Sequence, residues 1–177
     1  VNNANKGKHE IVKSYLDNLK ALGATVLAVP GNHDYGNGIR SKRKFVKIFK
    51  SIFFGDEKLR YPKVDFVYDP EFPDDCSEAI AFIGMDSMAK ELGFLDRLFA
   101  EGELGNAQLN RLDEILSNPD VKNCVKRVIY MHHHPFDPTF LHQLKDSEKL
   151  KQVLTTHIES GTSIDALLYG HNHEGQS

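Results

Sequence analysis

Four short apolar runs constrain the fold of this chain more than any other feature. They are residues 24–29, 79–85, 127–131 and 166–169. Each is short for a helix and rich in aliphatic side chains, so each reads as a buried strand. Between them the apolar residues recur at three- and four-residue steps. Residues 8–22 predict a helix with Ile11, Val12, Tyr15, Leu16, Leu19 and Leu22 on one inward face and Gly23 as its stop. Residues 39–54 predict another. In it Phe45, Val46, Ile48, Phe49, Ile52 and Phe53 turn inward, and Arg40, Lys42, Arg43 and Lys44 turn outward. Residues 106–116 and 150–158 are further helical segments, and the alternation over 64–68 suits one more strand. Helices interleaved with short strands specify an α/β fold.

Composition narrows the class of molecule. With 177 residues the chain has room for one domain, 1–177, and a real apolar core. Hydrophobic residues at 40% against 27% charged exclude general disorder. No apolar run approaches the roughly 20 residues of a membrane span, so no membrane partner is expected. A net charge of -3 argues against coating nucleic acid, which needs basic excess. Two cysteines, Cys76 and Cys124, form no disulfide framework and fit a reducing, cytoplasmic compartment.

The chemistry-bearing residues sit directly after the strands. Gly31-Asn32-His33-Asp34 follows the first, His132-His133-His134-Pro135 the third and Gly170-His171-Asn172-His173 the fourth. In α/β sheets the carboxyl ends of strands line the ligand crevice, so three such turns can converge on one point. Asn32 offers a neutral oxygen to a cation. His33 is a candidate general acid, with Asp34 beside it to fix its tautomer. Of the three consecutive histidines at most one or two can face the site, because side chains alternate along an extended chain. His171 and His173, two apart, project to one side and can both reach a metal or a metal pair.

Taken together, these motifs resemble the calcineurin-like metallophosphoesterase superfamily, in the form of its bacterial single-domain members. Phe82-Ile83-Gly84-Met85-Asp86-Ser87 resembles the family's mid-domain strand. Gly102-Glu103-Leu104 with Gln108, Leu109 and Leu112 resembles its next turn and helix. The resemblance implies a four-layer sandwich, two mixed β-sheets flanked by helices. It implies two divalent metal ions (Mn, Fe or Zn) and a phosphoester small-molecule substrate, a nucleotide among the candidates. Asn32, His133 and His171 would bind the second metal and His173 the first. His33 would protonate the leaving group and Asp34 would orient it. The choice of His133 rests on its place two residues before Pro135, with His132 the alternative. The resemblance implies attack by a hydroxide activated between the two metals, as a phosphodiesterase or phosphomonoesterase.

The family also carries an Asp-x-His and a Gly-Asp pair ahead of these motifs. Neither occurs ahead of Gly31, and Val1-Asn2-Asn3 resembles the residues just after the Gly-Asp pair. The chain is therefore expected to be an interior portion of the domain, without the N-terminal metal motifs and the C-terminal strands, and by itself inactive. Two cations need a bridging anion to share a site. A degenerate phosphoesterase scaffold used for protein binding is the alternative; the retained Asn32, His33, His133, His171 and His173 argue against it. A dinucleotide-binding module lacks its Gly-rich turn here, and a structural zinc module lacks cysteines near any histidine. The basic residues Arg40, Lys42, Arg43, Lys44, Lys47 and Lys50 read as a solvated helix face, or as a basic cap for a polyanionic leaving group.

Overall fold

The helical-period segments fold as helices and the apolar runs as strands, with one exception. The computed structural model describes residues 6–35, 43–73, 75–88, 102–136 and 144–170, without the side chains of residues 43 and 44. In chain order the elements are α1 (Lys6–Ala21), α2 (Arg43–Phe54), β1 (Lys63–Val67), β2 (Ile80–Gly84), α3 (Asn106–Ser117), α4 (Pro119–Asn123), β3 (Lys126–Tyr130), α5 (Ser147–Glu159) and β4 (Ala166–Leu168). The short α4 has too few turns to show a period in the sequence. Its signal is local, Asn118 as a cap accepting from the Asp120 N–H, with Pro119 in the first turn.

The strands form one mixed sheet in the order β1-β2-β3-β4. β1 runs antiparallel to β2, while β2, β3 and β4 are mutually parallel. Parallel neighbours need long crossovers, which α3 with α4 and then α5 supply. The crossovers bury one face of the sheet. Ala81, Ile83 and Ile129 meet Leu109, Leu112 and Leu116 of α3 and Leu150 and Leu154 of α5 in one cluster. His157, which belongs to no motif, is a packing residue that links α5 to α3, its Nε2 2.8 Å from Asp113 Oδ1. The parallel strands place Gly84, Tyr130 and Leu168 at one end of the sheet, and the site builds there.

Two expectations fail around α1. Residues 24–29 form no helix and join no ladder among the described residues. The face of α1 expected to turn inward is exposed: Tyr15 at 67%, Ile11 at 58%, Leu19 at 48% and, just beyond the helix, Leu22 at 83%. Periodicity reports which residues share a face, and another element must still cover it. The residue that α1 buries is His9, whose ring meets Phe49 and Phe53 of α2 edge-on. Of the expected four layers, the described residues form one sheet flanked by helices.

Candidate functional site

The turn after residues 24–29 is the first wall. Asn32–Tyr35 forms a single tight 3-10 turn. Gly31 is required there because a Cβ would stand 2.9 Å from the ring of His132. The side-chain oxygen of Asn32 accepts the His33 N–H at 2.9 Å and lies 3.2 Å from His132 Nε2. His33 itself is exposed.

The histidine run leaves β3 with its side chains in different directions. His132, the alternative in the sequence reading, meets Asn32. His133, the residue chosen from the proline spacing, turns to the end of β2. It is fully buried, its Nδ1 2.8 Å from Ser87 Oγ, and its ring fills the space where a side chain at Gly102 would stand. His134 packs obliquely against Tyr169, with ring centres 4.0 Å apart and the planes tilted by 53°. The third turn starts against the second, because the Gly170 N–H donates to the His132 carbonyl at 3.1 Å. His171 and His173 lie outside the described residues, as do His142, Arg40 and Lys42. The structure thus joins Asn32 to His132, and His132 to the threshold of the Gly170 turn.

Asp34 was expected beside His33. Its carboxylate accepts from His9 Nε2 at 2.7 Å and from the Gly31 N–H at 2.9 Å. The acid therefore braces the turn from inside and ties it to α1. His9 was missed in the sequence because it borders the apolar stripe, seven residues before Leu16, where a lone histidine gives no signal of its own. His9→Phe keeps an aromatic ring against Phe49 and Phe53 but removes the donor to Asp34. It should cost about 1–3 kcal/mol, the usual penalty for stranding a buried acceptor, measured by urea unfolding.

A second buried acid lies beneath the same end of the sheet. Tyr35 donates its hydroxyl to Asp86 Oδ2, and the Met88 N–H donates to Oδ1 at 3.1 Å. Gln108 holds the Asp86 backbone on both sides, accepting from its N–H at 3.0 Å and donating to its carbonyl at 2.7 Å. Burial pushes the Asp86 pKa up to about 6, against the lowering donation from Tyr35. Its ordinary value is 3.8. Between those two values the folded state holds a proton that the unfolded chain has lost, so stability should fall as pH rises through that window. Asp86→Asn should flatten that slope in melting temperatures recorded from about pH 4 to pH 6.

Asn32 and His132 suit a cation. Two ligands about 2.1 Å from one small divalent ion stand about 3.0–3.4 Å apart at octahedral or tetrahedral angles, and the 3.2 Å between Asn32 Oδ1 and His132 Nε2 matches. An amide oxygen with an imidazole nitrogen is a donor set for manganese, iron or zinc. Among the described residues no group of three or more His, Cys, Asp or Glu could hold a metal. Nor is any described helix long and apolar enough to cross a membrane.

A family model for calcineurin-like phosphoesterases matches residues 3–175. The chain belongs to the calcineurin-like phosphoesterase family. No curated protein sequence matches it. Membership makes the chain part of a family of metal-dependent phosphoester hydrolases. Like other phosphoesterases of this family, it is expected to act on phosphoester small molecules.

Proposed function

We propose that this phosphoesterase is a two-metal hydrolase of phosphomonoesters or phosphodiesters, with Asn32 and His132 as ligands of the second metal. The observation that carries this reading is the 3.2 Å approach of Asn32 to His132, two residues a hundred positions apart that meet beyond the end of β3. His132 takes the role that the proline spacing gave to His133. By the family resemblance, His171 would complete the same metal's ligands and His173 would serve the first metal. Divalent ions bound there supply charge neutralisation for the phosphoryl oxygens and a nucleophile at neutral pH.

The chain's own residues do the rest. His33, exposed at the lip of the turn, donates a proton to the leaving oxygen. Asp34 fixes the turn that carries both Asn32 and His33, through Gly31 and His9. His133 and Ser87 hold the backbone from which His132 projects.

The test is hydrolysis of nitrophenyl phosphate and bis-nitrophenyl phosphate by the intact protein with manganese, before and after chelation. Activity that chelation abolishes and manganese restores supports the proposal. Full activity after exhaustive chelation, or none under any metal, overturns it.

A further inference from the structure

A polar cleft opens beside the site and is not used by the chemistry above. It has a volume of about 530 Å³ and lies among the end of α2, the segment after it and the first turns of α3. Three cations line it: Lys50, Arg60 and Arg111. Tyr61 and Gln108 line it as well, with Asp86 at its inner end. Asp86 accepts from Tyr35, three residues after Asn32, so the cleft and the catalytic turn share a wall. Part of the basic stretch that the sequence left as a solvated face therefore fronts a cavity.

The hydrogen-bonding state of these groups indicates a ligand. Arg111 donates its Nε to the Pro62 carbonyl at 3.1 Å, which fixes the guanidinium and leaves both terminal nitrogens without a partner among the described residues. Arg60 has no hydrogen bond or ion pair among them. Lys50 donates to the Leu59 carbonyl at 3.0 Å, and its ammonium stands 5.2 Å over the Tyr61 ring. The Tyr61 hydroxyl is buried with no partner among the described residues. Of the acids nearby, Asp86 is occupied by Tyr35 and the Met88 N–H, and Glu114 at the rim forms no ion pair with Arg111. A guanidinium held in place with its fork unused is suited to a carboxylate or phosphate. The volume falls in the range of about 300–1,000 Å³ typical of small-ligand sites, more than one phosphate needs.

Resting on the hydrolase reading, we propose that this cleft receives a second anionic group carried by the leaving part of the substrate, gripped by Arg60, Arg111 and Lys50. The preferred substrate is then a phosphoester whose leaving group bears its own phosphate or carboxylate.

Three substrates test this on the intact, manganese-loaded protein: propyl phosphate, propane-1,3-diol bisphosphate and 3-phosphooxypropanoate. They present a neutral, a phosphate-bearing and a carboxylate-bearing leaving group. The expected result is a kcat/KM about 10- to 100-fold higher for one or both charged leaving groups. That ratio should fall close to one in the double variant Arg60→Ala/Arg111→Ala, chiefly through KM. Whichever charged ester is preferred identifies the anion. Equal kcat/KM for all three in the wild type, or an unchanged ratio in the double variant, overturns the proposal. Calorimetry on metal-free protein separates this from the hydrolase reading. Should no ester be hydrolysed, tighter binding of the bisphosphate than of propyl phosphate, abolished by the double variant, still supports the cleft. No difference in binding overturns it.

Discussion

Replacing His33 by alanine in the intact protein is expected to lower turnover about 10²–10⁴-fold on alkyl phosphates, the range of a lost general acid. Nitrophenyl esters should suffer far less. The nitrophenolate leaves without a proton, while an alkoxide at neutral pH needs one before or as the bond breaks. His33 is the proposed donor. Its backbone is fixed by the Asn32 side chain at 2.9 Å, and its imidazole is exposed where a substrate can reach it. Steady-state rates on the two substrate classes decide the matter. Equal losses on both would assign His33 to binding or folding and remove it as the proton donor.

The second large effect separates two neighbouring histidines. His132→Ala should reduce manganese affinity by more than the roughly 10- to 100-fold that loss of an outer partner costs. His133→Ala should keep most of the bound metal and lose stability instead, by about 1–3 kcal/mol for the stranded Ser87 contact, with a further loss from the emptied space. The reason is direction. His132 faces Asn32, whereas His133 is fully buried against Ser87 and Gly102. Metal content per folded molecule, measured by elemental analysis beside a thermal melt, reads both. A His133→Ala protein that folds normally and is metal-free, next to a His132→Ala protein that keeps its metal, would restore the assignment made from the proline spacing.

The two histidines show where sequence reasoning stops. Proline spacing is a one-dimensional measure, and it points to His133. Which imidazole reaches Asn32 depends on how the chain leaves β3, and that is fixed by contacts from elsewhere: the Gly170 N–H on the His132 carbonyl and Ser87 on the His133 ring. Asp34 behaves the same way. Adjacency suggested His33 as its partner, while packing gave its carboxylate to His9 of α1 and to Gly31. The basic residues of α2 have one identity in the sequence and two in space. Lys47 is exposed, and Lys50 reaches a cleft whose other cations come from residues ten and sixty-one positions further on.

By itself the sequence determined the α/β alternation, the parallel strands' positions within a residue or two, the order of the three polar turns and the family. Those are local or periodic properties, carried by side chains that share a face or a turn. Only the tertiary structure decided which imidazole meets Asn32, that Asp34 is braced by a buried histidine on another helix, and that the apolar stripe of α1 faces outward. Each depends on surfaces brought together from distant parts of the chain, and no spacing along the chain records which surfaces will meet.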